Sequence, residues 1–475
     1  MGVPRISRRA RYLCGLTVTL YFLFSVQWNT LKVNTHFYNS MHTLLPSTAQ
    51  VDDLNLKNLE VVDPSSTSYD LLDLRVQLAR EFPYEPSQPI PRKVWQTWKT
   101  NGDAPSFPSN FKSYQKKWIA TCENRSPTYQ YNLITDEQML PLLKQVYGGV
   151  PQVVRAFESL PLPILKADFF RYLILFARGG IYSDMDTFPL KPLDTWPSTS
   201  KSFRAGLKNP IKYRDSIDGL DAFEPPEPGF VIGIEADPDR DDCADWYARR
   251  IQFCQWTMQA KPGHPLLREL ISNITATTLH SVQKLKSSLP LNDADIVEEF
   301  EDDYNINMRD RRKFDKNYDH KQKKNAKNID GTDIMNWTGP GIFSDIVFQY
   351  LNNIIQKNNN ILIFNDNIND MDGKRKESKD ETTMKFYKDI SKNLQSQNPT
   401  FFWGFFSLMT KPALIDDVLV LPITSFSPDV GQMGSNSMDD EMALVKHLFE
   451  GSWKEEKSDD KEEKETSSNN DEKNE

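Results

Sequence analysis

Residues 164–186 read ILKADFFRYLILFARGGIYSDMD, and the rest of the chain is arranged around them. Leu165, Phe169, Tyr172, Leu173 and Phe176 recur at helical spacing, so the first part reads as a helix with an apolar face turned inward. Asp168 and Arg171 interrupt that pattern at i, i+3 on one face. The plainer reading of them is a local ion pair worth about 0.2–0.5 kcal/mol; the functional one is that both hold a polar ligand. Gly179-Gly180 stops the helix, because glycine tolerates the left-handed cap, and Ile181-Tyr182-Ser183 restarts the chain as an extended segment. That short strand is expected to carry Asp184 and Asp186. Side chains two apart on a strand point the same way, so the carboxylates converge and repel each other unless a cation lies between them. A hard divalent metal with oxygen ligands suits such a pair.

A D-x-D triplet alone is commonly a solvated turn; here its surroundings add a resemblance. Ala167-Asp168-Phe169-Phe170-Arg171-Tyr172 followed by Gly179-Gly180-Ile181-Tyr182-Ser183-Asp184-Met185-Asp186 is similar to the signature of the fungal initiation-specific alpha-1,6-mannosyltransferases and their retaining relatives among the DxD glycosyltransferases. Ile90-Pro91-Arg92-Lys93-Val94-Trp95-Gln96-Thr97-Trp98, Tyr131-Asn132-Leu133-Ile134-Thr135-Asp136, Trp337-Thr338-Gly339-Pro340-Gly341 and Leu421-Pro422-Ile423-Thr424-Ser425-Phe426 agree as well, and the likeness runs, with gaps, from about Ile90 to Trp453. It implies an α/β fold, a GT-A-like, Rossmann-type mixed sheet flanked by helices. It also implies that Asp184 and Asp186 are the catalytic acidic pair and hold Mn2+ (or Mg2+) against the diphosphate of GDP-mannose. By the same likeness Trp98 lies near the nucleotide base, Asp168 binds sugar hydroxyls, Arg171 faces the diphosphate and Tyr182 lines the pocket. The implied reaction is transfer of mannose in alpha-1,6 linkage, with retention, onto an N-linked mannose core glycan. No residue is assigned as a further base.

Two carboxylates leave a divalent cation short of protein ligands, and imidazole is an acceptable third. Of the six histidines, His36 and His42 fall in a polar N-terminal stretch, His264 in a Pro-Gly loop, His280 on a polar segment and His320 in a charged run, which leaves His447. The ending Lys446-His447-Leu448-Phe449-Glu450-Gly451-Ser452-Trp453 resembles the late His and Gly-x-Trp elements with which several DxD transferases close the metal and diphosphate site, so Trp453 joins the expected substrate-binding residues. The plainer reading of His447 is a surface histidine on a short terminal helix. One departure stands out: Gln432 occupies Gly431-Gln432-Met433-Gly434 where relatives carry histidine.

Three rival readings are weighed. A paralogous mannosyltransferase of mannan elongation, or one with another acceptor, fits the same residues. A non-catalytic, membrane-tethered glycan-binding scaffold would keep the fold, although no part of the motif is missing. A glycosidase would place its two carboxyl groups about 5 to 9 Å apart on opposite sides of the bond, which a D-x-D on one strand does not.

Around this centre the chain of 475 residues holds one large α/β domain with insertions, or two to three average domains. The net charge of −9 argues against a nucleic-acid partner, although part of it belongs to the C-terminal tail. Arg5, Arg8, Arg9 and Arg11 precede the uncharged run YLCGLTVTLYFLFSVQW at 12–28, which continues to Leu31 and is followed by no clear small-residue cleavage site. This reads as a cytosolic tail at 1–11 and an uncleaved signal-anchor transmembrane helix at 12–31, with everything beyond Lys32 lumenal. A polar, proline-containing stem follows at 32–88, broken by one helical patch at Tyr69–Phe82. The body is expected at 89–453, so that the protein is a single-pass type II protein of the Golgi membrane. The resemblance adds a complex with other mannosyltransferases as a further partner.

Within the body, Val94–Trp98 and Tyr129–Ile134 read as strands, Phe111–Ala120 as a helix, and Thr135/Asp136 as the N-cap of a helix running to Tyr147. Strand and helix alternate, which implies a parallel sheet with ligands at the carboxyl ends of its strands. Of Trp95 and Trp98, one is expected in the core. Phe230–Ile234 is a further expected strand, Asp245–Gln259 a helix buried around most of its circumference, Met335–Leu351 a return to the fold, Phe401–Trp403 and Val418–Pro422 strands, and Ala443–Phe449 a short helix. The runs near 298–328 and 365–398 and the tail 454–475 are too polar to order themselves by burial. Cys14 lies in the anchor, and Cys243 with Cys254 can pair or leave Cys254 free and buried. Asn124, Asn273 and Asn336 head glycosylation sequons, with Asn273 favoured.

Overall fold

The computed structural model describes residues 71–123, 128–200, 226–237, 247–288, 331–357, 363–365, 393–394 and 399–450. The expected cytosolic tail, anchor at 12–31, most of the stem, Trp453, the tail 454–475 and nearly all of the runs 298–328 and 365–398 lie outside these residues, as do Cys243 and Asn124. Among the described residues no helix is long and apolar enough to cross a membrane.

The first described element is α1 (Leu71–Glu81), the helix expected as a patch within the stem. It is no part of a spacer. Leu74, Leu78 and Phe82 are buried in the main core, Arg75 pairs with Glu269, and the compact unit begins at Leu74 rather than at 89. The apolar stripe of an isolated helix says that it packs but not against what.

The body then runs through β1 (Lys93–Trp98), α2 (Ser109–Glu123), β2 (Gln130–Thr135), α3 (Asp136–Val146), α4 (Pro151–Ser159), α5 (Pro163–Arg178), β3 (Gly180–Ser183) and β4 (Thr187–Pro189). The start of α3 is where the sequence puts it: Thr135 caps it, and its N–H donates to Gln138 Oε1 at 3.0 Å. After β4 come β5 (Phe230–Ala236), β6 (Gln252–Phe253), β7 (Thr257–Ala260), α6 (Pro265–Ser288), α7 (Gly331–Trp337), α8 (Pro340–Lys357), β8 (Ile363–Asn365), α9 (Trp403–Phe406), β9 (Ala413–Ile415), β10 (Val418–Leu421) and β11 (Val445–His447).

The main sheet has the order β2-β1-β3-β7-β5-β10-β9-β8, with β6 on β5, and β4 and β11 form a separate pair. Strands β2, β1 and β3 are parallel, β7 lies antiparallel between β3 and β5, and β10 is parallel to β5. The sheet is therefore mixed. Because β7 reverses between them, β3 and β5 run the same way, and the carboxyl ends of β1, β3, β5 and β10 meet at one edge. Alternate residues face alternate layers. Val94, Ile181, Val231, Leu419 and Leu421 pack with Trp118 of α2, whereas Trp95, Tyr182, Phe230, Ile232, Val418 and Val420 pack with Leu143, Phe157, Phe169, Leu270 and Val347 of the larger helical layer.

Three expected elements differ in type. The segment expected as a helix at Asp245–Gln259 supplies β6 and β7, because Thr257–Ala260 pairs with β3 on one side and β5 on the other. A run buried on every side carries no polar stripe, so period cannot tell strand from helix there. Phe401–Trp403, expected as a strand, leads into the short helix α9, and the expected terminal helix at Ala443–Phe449 is β11, which pairs with β4. In both, three or four residues are too few for a period to show.

Candidate active site

Helix α5 begins with Pro163 in its first turn and is buried along nearly its whole length. Gly179 closes it at φ +60°, its N–H donating to Leu175 O at 2.8 Å. A Cβ on Gly179 would come within 2.7 Å of Pro262, and one on Gly180 (φ +106°) within 2.5 Å of Lys93 O. Only glycine lets β3 lie this close to β1. The close approach delivers Tyr182 and the residues after Ser183 to the carboxyl edge of the sheet.

The acidic pair is not on a strand as expected. Strand β3 ends at Ser183, and Asp184-Met185-Asp186 forms the turn into β4. The turn is held by Asp184 O, which accepts from Gln96 Nε2 (3.0 Å) and Thr187 Oγ1 (2.6 Å), and by Asp184 N–H, which donates to Trp256 O (2.8 Å). Met185 packs with Phe107 and Phe111. The carboxylates converge all the same. Strand β11 lies across β4 with His447 opposite Thr187, which brings His447 Nε2 to 3.2 Å from Asp186 Oδ1. Ligand atoms of Asp184, Asp186 and His447 all lie within 4.8 Å of one another.

Each member of this group is fixed from behind. The His447 ring stacks on Trp256 (4.1 Å between centroids, 12° between planes) and meets Phe449 edge-on at 4.0 Å. Asp186 Oδ2 accepts from Glu450 N–H at 3.1 Å, and Asp186 O from Leu448 N–H at 3.0 Å. Asp184 Oδ1 accepts from the Tyr182 hydroxyl at 2.8 Å and lies 3.3 Å from Arg171 Nη2. The Tyr182 oxygen is also 3.0 Å from Thr97 Oγ1.

Asp168 and Arg171 form an ion pair at 3.0 Å, both almost fully buried, and more than a local one. Asp168 also accepts from Gln255 Nε2 (3.1 Å) and Thr338 Oγ1 (3.2 Å), and Arg171 reaches Gln255 O and lies over the Tyr182 ring. Burial pushes the Asp168 carboxyl up to about 6, against the pull of Arg171. Burial likewise raises Asp184, with Arg171 opposing and Asp186 adding to the rise. At Asp186 burial is outweighed by the hydrogen bond and charge of His447 and by the Glu450 N–H, so its carboxyl lies below the ordinary range. The turn thus holds one carboxylate whose charge is disfavoured beside one whose charge is well supported.

Trp95 is the core tryptophan, its Nε1 donating to Gly179 O at 2.9 Å, while Trp98 is half-buried with its ring edge-on to Phe107 and Phe111. Cys254 is a buried, free thiol. The sequence reading missed Trp256, Gln255 and Thr338, which support the site from the turn between β6 and β7 and from the loop after α7. It also missed Glu235, the one charged residue in the otherwise apolar strand FVIGIEA, and that interruption was the available signal. Glu235 accepts from Gln252 Nε2 at 3.0 Å. Burial pushes its carboxyl up to about 7, with Gln252, His447 and Arg171 opposing and Asp184 adding.

The residues fit a hard divalent cation. Two carboxylates and an imidazole whose Nε2 faces Asp186 are suitable donors.

Comparison with known proteins agrees with this geometry. The family described as "Glycosyltransferase sugar-binding region containing DXD motif" matches residues 108–203, which include the whole turn. The initiation-specific alpha-1,6-mannosyltransferase of Saccharomyces cerevisiae is 51% identical over 95% of this chain and 96% of its own length. The protein of the same name from Candida albicans is 40% identical over 92% of each chain, and that of Schizosaccharomyces pombe is 34% identical over 79% of this chain and 66% of its own. The solved PaToxG glycosyltransferase, at 14% identity over 58% of this chain and 74% of its own with a TM-score of 0.27, is too distant to add to the argument. A D-x-D turn closed by a late histidine, in a chain this similar along nearly its whole length, makes it a glycosyltransferase belonging to the initiation-specific alpha-1,6-mannosyltransferase family.

Proposed function

We propose that the enzyme transfers mannose from GDP-mannose, in alpha-1,6 linkage and with retention, onto an N-linked mannose core glycan. The observation that carries this reading is the convergence of Asp184, Asp186 and His447 within 4.8 Å at the carboxyl edge of the sheet, in a chain of this family. Bound there, Mn2+ or Mg2+ would supply Lewis-acid stabilisation of the leaving diphosphate. The chain's own residues do the rest. Arg171, which bridges Asp168 and Asp184, sets the position of Asp184 and adds positive charge on the diphosphate side. Tyr182 holds the same oxygen of Asp184 from the sheet. An ionised carboxylate accepts about four hydrogen bonds, and Asp168 takes them from Arg171, Gln255 and Thr338, which leaves it room for one sugar hydroxyl. Trp98 offers its exposed side to the nucleotide base, and Trp453, which lies outside the described residues, joins the substrate-binding residues by family resemblance alone.

The GT-A-like assignment of the sheet belongs to the same proposal, as does the topology: a signal anchor at 12–31, a lumenal body, residence in the Golgi membrane and association with other mannosyltransferases. Full-length protein in detergent, given a mannose core glycan and a panel of nucleotide sugars, should release GDP only from GDP-mannose and stop when EDTA removes divalent metal. Linkage analysis should find a new alpha-1,6 mannose. Preference for a UDP-sugar, or an undiminished rate in EDTA, would overturn the reading.

A further inference from the structure

Two large apolar side chains stand exposed at the ends of one short segment: Trp403, 43% exposed at the start of α9, and Leu408, 55% exposed just beyond its end. Isolated exposed apolar residues are ordinary, but these are held in place with unusual care. Asp237, buried directly after β5, accepts from Ser407 Oγ (2.9 Å) and from Leu408 N–H (2.8 Å), and also pairs with Arg250. Leu408 is kept at φ +59°, a conformation that a bulky residue adopts only at a cost. The Arg250 guanidinium lies 4.8 Å from the centre of the Trp403 ring and braces it.

The position of this anchor is what assigns it a role. Strand β5 runs parallel to β3, so Asp237 leaves the sheet at the same edge as Asp184 and Asp186, two residues after Glu235. The segment therefore lies at the carboxyl edge, on the β5 side of the metal-ligand turn, whereas Trp98 lies on the β1 side of it. The donor face and this face flank the turn from opposite sides.

We infer that Trp403, braced by Arg250 and with Leu408 exposed at the other end of the same segment, is the platform on which a neutral mannose-rich acceptor glycan rests during transfer. This rests on the acceptor class proposed above. Pyranose rings present apolar C–H faces between polar rims, and a braced indole offers a large, rigid apolar surface with a polar edge, which suits that chemistry and would not serve a charged ligand as well. A flexible apolar chain would not need the strained Leu408 to hold a fixed geometry.

The test uses full-length protein in detergent with GDP-mannose and a mannose core glycan. Trp403→Ala should raise the KM for the glycan by about tenfold or more, with Trp403→Phe retaining most of the affinity. The KM for GDP-mannose and the slow hydrolysis of GDP-mannose without acceptor should stay within about twofold of wild type. Should Trp403→Ala fail to fold, Leu408→Gly removes apolar surface while relieving the left-handed backbone, so it should fold at least as stably and still raise the acceptor KM. Glycan KM values within about twofold of wild type in the folded variants, with wild type active, would overturn the platform alone. A wild-type enzyme that accepts no mannose glycan would overturn the functional reading and the platform with it.

Discussion

Among the described residues, two Asp–His pairs lie at opposite edges of the same sheet. At the amino-terminal edge, His264 Nε2 lies 3.4 Å from Asp417 Oδ1, His264 Nδ1 accepts from Leu266 N–H at 3.2 Å, and Asp417 Oδ2 accepts from the Tyr84 hydroxyl. Every polar atom of that pair has a partner. At the carboxyl edge, His447 Nε2 lies 3.2 Å from Asp186 Oδ1, but His447 Nδ1 is buried with none. The first pair ties the segment before β1 to β10 and to the start of α6, with its ring stacked near Phe230. The second belongs with Asp184 to a group that could hold a metal ion. Residue type and spacing are nearly the same in both, and what sets the second apart is a further carboxylate, Asp184, whose ligand atom lies within 4.8 Å of the other two.

The comparison breaks most visibly at the carboxylates. Asp184→Asn or Asp186→Asn should reduce mannose transfer to assay background while thermal unfolding in EDTA hardly moves, because the amide keeps the shape and loses the charge that holds a metal. Asp417→Asn should do the reverse, lowering stability and leaving the rate intact. Burial would raise the Asp417 carboxyl, but His264, Tyr84 and Lys261 hold it below the ordinary range. It therefore stabilises the fold above that range, and the benefit is lost as pH falls through its lowered pKa. Transfer at the wild-type rate in either Asp184→Asn or Asp186→Asn would end the metal assignment.

The histidines come next. His264→Ala removes a fully buried ring and strands its partners, and should cost about 3–5 kcal/mol in denaturant unfolding with an unchanged metal titration. His447→Ala should cost only about 1 kcal/mol for its lost stacking on Trp256, yet raise the Mn2+ concentration for half-activity by about tenfold or more, roughly 1.4 kcal/mol. Identical metal titrations for wild type and His447→Ala would remove His447 from the site.

The smallest effect concerns Glu235, whose carboxyl is pushed from an ordinary 4.5 up to about 7 by burial. A raised carboxyl binds its proton more tightly folded than unfolded, so the metal-free protein should lose stability as pH rises from about 4.5 to about 7. Glu235→Gln should remove that slope and gain of order 1 kcal/mol at pH 8. Superimposable pH profiles in EDTA would show that Glu235 is not held in this way.

Part of this was legible in one dimension. The apolar spacing in Leu165–Phe176, the glycine pair and the D-x-D are local patterns, and α5 and β3 follow from them, whereas the carboxylates converge through a turn held by Gln96 and Trp256 rather than by strand alternation. His447 was reachable because only six histidines compete for the role. Other features depended on partners distant in sequence. Whether residues 252–260 coil or extend is decided by the open edges of β3 and β5, and whether 445–447 form a strand is decided by β4. The partition of α1 between stem and core is decided by Glu269 and the helical layer. Gln255, Trp256, Thr338 and Glu235 meet the site only through these pairings. Sequence by itself determined the chemistry of the ligands, since donor type and local spacing are covalent facts. Tertiary structure alone decided which atoms are saturated and which are not, because saturation depends on neighbours that the chain brings together only when it folds.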